Sequence, residues 1–171
     1  KQPALADREY KYIHYEGEDR RGVDCAFFYN PKLFELSNSK LVPYVYINDT
    51  VHKTRGFLIA SGYIAGEKMH FIVNHWPSRA AASAARERAG EQVRAIKDSL
   101  LREDSAAKVV IMGDMNDDPM DKSMAVALGA KRKPADVGPE DLYNPWWDTL
   151  KKGYGTLMYR GKWNLFDQIV F

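Results

Sequence analysis

Short apolar stretches of strand length, each closed by a polar or turn-forming pair, alternate along this sequence with two stretches of helical composition. That alternation constrains the fold more than any other feature. Residues 23–29 are apolar and aromatic and stop at Asn30-Pro31, while residues 41–47 alternate β-branched and aromatic types ahead of Asn48-Asp49. Residues 56–64 and 69–73 flank Ala65-Gly66-Glu67-Lys68 and predict a hairpin. From Arg79 to Arg102 the composition changes to Ala, Glu, Arg, Gln and Leu, with Val93, Ile96, Leu100 and Leu101 at helical spacing and Ser78 placed to cap the start. Residues 108–112 then predict a short strand running into Gly113-Asp114, residues 120–128 a helix after Pro119, and residues 165–171 a last strand. Strands early and helices later predict an α/β (α+β) sandwich with helices packed outside sheets.

At 171 residues the chain has the length of one domain, taken as residues 1–171. No apolar run approaches the roughly 18 residues of a membrane span. The first seven residues contain no apolar core of signal-peptide length, so the compartment stays open: soluble, and secreted or periplasmic if a signal lies upstream. The lone Cys25 excludes an internal disulfide and a cysteine-rich zinc site, and Val23-Asp24-Cys25-Ala26-Phe27-Phe28 predicts that it is buried in a strand. A net charge of +2 falls well short of what a protein gripping long nucleic acid through its phosphates requires. A monomer is expected, with residues 129–139 as a surface loop.

Three segments place polar residues where an expected strand ends: Asn74-His75-Trp76-Pro77-Ser78-Arg79, Gly113-Asp114-Met115-Asn116-Asp117-Asp118-Pro119, and Asp167 within Leu165-Phe166-Asp167-Gln168-Ile169-Val170-Phe171. An apolar strand fixes such a group on a rigid base. Phosphoryl transfer requires this, because its catalysis is largely positioning and electrostatics. Asp114 and Asn116 leave one face of a continued strand, where a carboxylate can hold a metal or orient water and an amide can donate to a phosphoryl oxygen. The same residues can instead cap a turn and the helix that follows. A calcium loop starting at Asp114 fails, since Pro119 stands at its glycine position and Ala125 at its bidentate glutamate. His75 can donate to a phosphoryl oxygen or serve as a structural residue at a strand end. Arg55 and Arg79 are candidate phosphate contacts through their planar forks, or members of surface ion pairs. Asn74 and Trp163 join them as candidate substrate contacts. The other aromatic residues, Trp76, Trp146, Trp147, Tyr143, Tyr154 and Tyr159, divide between a substrate groove and the core, with the core favoured for most.

Taken in this order, and together with Trp163-Asn164 ahead of the last segment, these motifs resemble the endonuclease/exonuclease/phosphatase superfamily. Arg21-Gly22-Val23-Asp24, Thr54-Arg55-Gly56, and Gly155-Thr156 with Tyr159-Arg160-Gly161 resemble a bacterial branch of it. The resemblance implies a four-layer αββα sandwich of two mainly antiparallel or mixed β-sheets flanked by helices, with Mg2+ or Mn2+ at one edge. It implies that His75 contacts the scissile phosphate, that Asp114 binds metal or orients the attacking water, and that Asn116 steadies the phosphoryl group. Asp167 would orient a catalytic histidine. It also implies a metal-binding glutamate upstream of Lys1 and a Ser-Asp-His segment just beyond Phe171. On that expectation the chain is part of a longer domain, inactive alone, with further metal ligands outside it.

The expected function is metal-dependent hydrolysis of a phosphodiester or phosphomonoester, as in a nuclease, a sphingomyelinase-like enzyme or a phosphatase. The alternative is a catalytically inactive member that binds a phosphorylated ligand or a protein partner. The modest charge favours a small phosphoester or lipid headgroup over long nucleic acid. The sequence contains no Gly-x-Ser-x-Gly elbow, Walker loop or His-Glu-x-x-His pair.

Overall fold

The computed structural model describes residues 3, 8–47, 49, 51–159 and 161–171. Asn48 of the expected turn and Arg160 of the Tyr159-Arg160-Gly161 segment lie outside the described residues. Strands β1 (Lys11–His14) and β2 (Ala26–Tyr29) pair antiparallel. Strands β3 (Glu35–Val42), β4 (Phe57–Ile64) and β5 (Glu67–His75) follow as an antiparallel meander. Helix α1 (Ser83–Glu103) then carries the chain to β6 (Lys108–Asp114), which pairs parallel with β5. Beyond a short π-helical segment, Ser123–Leu128, come the small parallel pair β7 (Ala130–Lys131) and β8 (Leu142–Tyr143). Helix α2 (Trp147–Lys151) leads into the hairpin of β9 (Leu157–Tyr159) and β10 (Lys162–Asn164). Last, β11 (Asp167–Val170) lies antiparallel beside β6, giving the central sheet the order β11-β6-β5-β4-β3.

Period-two burial explains the layering. One face of the central sheet contributes Ile72, Val109, Ile111 and Val170 to a core shared with Ala89, Val93 and Leu100 of α1 and with Met124 and Leu128. The opposite face presents Leu58, Ala60 and Val73 to Ile13, Cys25 and Phe27 of the β1–β2 layer, with Phe34 between them. Each fully buried Ile, Leu or Val contributes roughly 1.5–3 kcal/mol. The result is a mixed α+β sandwich, helix on sheet on sheet, with no closed barrel.

Several local expectations are corrected. Residues 43–47 leave the sheet after β3, because Pro43 cannot donate to a ladder and because the Val45 backbone turns to the Gln92 side chain of α1. The β4–β5 turn is tighter than four residues: Ala65 and Gly66, at φ 50 and φ 84, form it alone, as a type I′ connection requires. Helix α1 begins at Ser83, after Ala82, and Ser78 does not cap it. Arg79 is drawn into the acidic loop after β6, and Arg86 donates to the Ser78 carbonyl, so residues 78–81 turn before the helix starts. The helix after Pro119 starts only at Ser123. Cys25 is buried as expected, just ahead of β2, and burial pushes its thiol up to about 11.

His70 lies 4% exposed within β5, its Nδ1 paired at 2.7 Å with Ser61 Oγ and its Nε2 without a partner among the described residues. Burial, with the charge of Lys68, pushes the imidazole below its ordinary value. The unfolded chain therefore takes up this proton more readily than the folded one. Stability is complete above about pH 6.5 and falls as pH drops below it. Urea denaturation at pH 7.5 and 5.5 should show that loss, and His70→Gln should reduce it. An identical pH dependence in the variant would exclude His70 as a source.

Candidate active site

The central sheet brings three of the expected residues into one row. In the parallel β5–β6 pair His75 is the register partner of Asp114, and in the antiparallel β6–β11 pair Asp114 is the partner of Asp167. Two strands end and a third begins at one edge, so residues far apart in sequence stand one strand spacing from the next, about 4.8 Å. His75 Nε2 lies 3.7 Å from Asp114 Oδ2, with both side chains about one-third exposed. Burial and the nearby Arg55 push the His75 imidazole below its ordinary value, and Arg21 acts in the same direction while Asp114 opposes it.

Beyond Asp114 the chain turns sharply. Asn116 adopts φ 52, its N–H donates to Asp114 Oδ1 at 2.8 Å, and its Nδ2 donates to the Trp76 carbonyl at 3.0 Å. These bonds keep Asn116 beside the His75–Asp114 pair through a bend, not through a continued strand. The rest of the loop is braced from within. Asp117 receives Ser123 Oγ at 2.7 Å and faces Arg86 Nε at 2.8 Å, while Asp118 Oδ1 accepts the Leu165 N–H at 2.7 Å. Gln168 Nε2 donates to the carbonyls of Asp117 and Leu165. Asp114 thus caps the turn, whereas the short helix that follows has no side-chain cap, so the expectation that these residues cap it is corrected.

The expected substrate contacts divide. Asn74 is 2% exposed, with Nδ2 donating to the Ile72 and Met112 carbonyls and Oδ1 accepting Trp76 Nε1, so its polar atoms are taken up in bracing the β5–β6 junction. Arg55 is also buried: it donates to Asp19 Oδ2 at 3.0 Å and to the Trp76 carbonyl at 2.8 Å, behind the site. Arg79 is engaged with Asp117, Asp118 and Asp121 and stacks over the Phe166 ring at 4.5 Å. Trp163 is 40% exposed on the β9–β10 hairpin. That hairpin is tied to the site where Thr156 Oγ1 accepts the N–H groups of Phe166 and Asp167. Of the aromatic residues expected mostly in the core, only Trp76 is buried: Tyr143, Trp146 and Trp147 are half-buried, and Tyr154 and Tyr159, like Trp163, are exposed, so that expectation is corrected. Sequence reasoning gave no role to Asp19, a nearly buried carboxylate that receives both Arg21 and Arg55. The one available signal was its place just ahead of Arg21-Gly22.

The donor set can be weighed against a divalent cation. Like charges directly opposite one another on adjacent strands repel, and Asp114 and Asp167 are so placed. Among the described residues Asp114 Oδ2 meets no backbone or amide donor. One free carboxylate oxygen fits the water-rich coordination of magnesium, which takes one or two carboxylates with substrate oxygens, and does not make a closed protein cage. Among the described residues the one group of three potential ligands is His14, Glu16 and Asp24 on the β1–β2 layer, and it excludes Asp114. No described helix is long and apolar enough to cross a membrane.

Comparison with known proteins gives the family and the fold. A family model described as Endonuclease/Exonuclease/phosphatase family matches residues 1–171. Among solved structures, the human Nocturnin catalytic domain with bound sulfate superposes with a TM-score of 0.69 at 16% identity, covering 99% of this chain and 63% of that one. ANGEL2, a 2',3'-cyclic phosphatase, gives 0.74 at 11% identity, covering 98% and 63%. D. rerio TDP2 complexed with single-strand DNA product gives 0.59 at 17% identity, covering 98% and 64%. The chain thus spans less than two thirds of the length of these structures, and at such identities the likeness is one of fold. No curated protein matches it. The match of the family model over residues 1–171 places this chain in the endonuclease/exonuclease/phosphatase family.

Proposed function

We propose that the protein hydrolyses a phosphoric ester at the sheet edge formed by His75, Asp114 and Asp167. The family is one of metal-dependent phosphoesterases, and the observation that carries the reading is the single row these residues occupy across β5, β6 and β11. Water would add its oxygen to phosphorus and give up a proton while the opposite P–O bond breaks, and the departing alkoxide would take up a proton and leave as the alcohol. Asp114 would hold the cation or orient that water through its free oxygen. When bound there, Mg2+ or Mn2+ would polarise a phosphoryl oxygen and offset the charge that develops on it. His75 and the second N–H of Asn116 Nδ2 would donate to the phosphoryl oxygens. Asp167, exposed at the start of β11, would orient a histidine from outside these residues. Trp163, on the hairpin beside it, would meet the part of the substrate beyond the phosphate.

The direct test is release of 4-nitrophenol from bis(4-nitrophenyl) phosphate and from 4-nitrophenyl phosphate by the full-length protein. Turnover should require Mg2+ or Mn2+, disappear with EDTA and return when the metal is restored. Metal-independent turnover would overturn the cation's part in the reading. Failure on both esters, with phosphate still bound, would favour a member that binds phosphorylated ligands without turnover.

A further inference from the structure

Asp19, in the connection between β1 and β2, is unusual for a loop carboxylate. Its side chain is only 5% exposed, and it accepts four hydrogen bonds from two arginines. Arg21 Nε meets Oδ1 and Arg21 Nη2 meets Oδ2, each at 3.0 Å, in a two-pronged arrangement, while its backbone N–H reaches Oδ1 at 2.9 Å. Arg55 Nη1 shares Oδ2 at 3.0 Å. Arg21 holds the Asp19 carboxyl well below the usual carboxylate range, with Arg55 adding to the effect, so it stays charged. Two guanidiniums against one carboxylate leave an excess of one positive charge.

That excess is not distributed evenly. Arg55 is buried, with Nη2 committed to the Trp76 carbonyl, the same oxygen that accepts Asn116 Nδ2. Arg21 is two-thirds exposed, and among the described residues its Nη1 has no protein acceptor. An ordinary exposed ion pair is screened, loosely held and of little energetic consequence. This one is anchored through a buried carboxylate and a buried arginine to the backbone of the residue after His75. A guanidinium fixed in this way presents its remaining N–H groups in a fork suited to phosphate, with less freedom to lose on binding than a loose side chain.

We propose that Arg21, positioned by Asp19 and backed by Arg55, is a phosphate-binding contact of the active site. The assignment deepens the hydrolytic reading and rests on it for the identity of the ligand as substrate. It also explains why Arg55, though expected to touch phosphate, is buried: it is the support for the arginine that does.

The test pairs phosphate binding with kinetics in the full-length protein. Calorimetric titration with inorganic phosphate should show affinity about ten- to a hundredfold weaker in Arg21→Gln, the size expected for loss of charge-assisted hydrogen bonds. Arg21→Lys, which keeps charge but not the fork, should recover part of it. With bis(4-nitrophenyl) phosphate, Arg21→Gln should raise KM more than it lowers kcat. Asp19→Asn should raise KM in the same direction, and combining it with Arg21→Gln should add little, because both act through one guanidinium. Unchanged phosphate affinity in Arg21→Gln, or no phosphate binding by the unsubstituted protein, would overturn the assignment and leave the hydrolytic reading to its own assay. Weakened binding in a protein that hydrolyses neither ester would keep Arg21 as a phosphate contact and overturn hydrolysis.

Discussion

Asp114→Asn should lower metal-dependent hydrolysis by about a hundred- to a thousandfold while leaving the protein folded, the range seen when one group aimed at the reacting centre is removed. The substitution separates two jobs of one side chain. Asp114 Oδ1 accepts the Asn116 N–H at 2.8 Å and so holds the bend after β6, a bond the amide oxygen of asparagine can still accept. Oδ2 lies 3.7 Å from His75 Nε2 and is the atom that, in the proposed reading, holds a cation or a water. Asparagine removes its charge and puts a donor in its place. Asp114→Ala would remove both functions and confuse an unfolded loop with a lost ligand. The measurement is kcat/KM at saturating Mg2+ beside a thermal unfolding midpoint. A midpoint near the parent value with activity reduced as stated would support the assigned role. Activity within about tenfold of the parent would remove Asp114 from the chemistry. His75→Gln should be strongly non-additive with it, since the two side chains meet.

The parts of this protein legible from sequence are those set by local pattern. Alternation and turn chemistry marked the β4–β5 hairpin, helical spacing marked α1, and apolar runs ending in polar residues marked the ends of β5 and β6. Those ends then supplied His75 and Asp114 as candidates. What the sequence could not convey was direction. Asn74 and His75 are neighbours, yet the pleat sends one into the core of the β5–β6 junction and leaves the other one-third exposed. Arg55 and Arg21 look interchangeable as cations, and only tertiary packing buries the first while exposing the second. Arg79 is directed by three aspartates that approach it from the loop after β6. Strand β1 carries a single inward residue, Ile13, too weak a pattern to read before β2 is known to pair with it. Long-range pairing therefore decided which of the polar candidates stand exposed at the sheet edge.

Gly113→Ala is expected to be the most damaging single methyl group that can be added near this site. Gly113 has φ 128, a backbone conformation open to glycine and strained for any L side chain. A Cβ there would also stand 2.0 Å from the Asn74 carbonyl oxygen and 3.0 Å from the Asn74 nitrogen. Both are backbone atoms of the adjacent strand, so no side-chain rotation relieves the contact. Strain of about 1–3 kcal/mol for the dihedral adds to the displacement of a central strand, and the sum should exceed about 4 kcal/mol against a total stability of roughly 5–15 kcal/mol. Gly66→Ala supplies the control: at φ 84, in the β4–β5 turn, its Cβ would meet nothing within 4 Å, so it tests the dihedral without the clash. Urea denaturation should rank Gly113→Ala far below Gly66→Ala, and equal losses would mean that β5 and β6 do not approach so closely at this rung. The position matters for chemistry because Asn74 and Gly113 are register partners directly before His75 and Asp114. Any Gly113→Ala protein that still folds must separate β5 from β6 there, lengthening the His75–Asp114 approach, so it should lose activity out of proportion to its folded fraction.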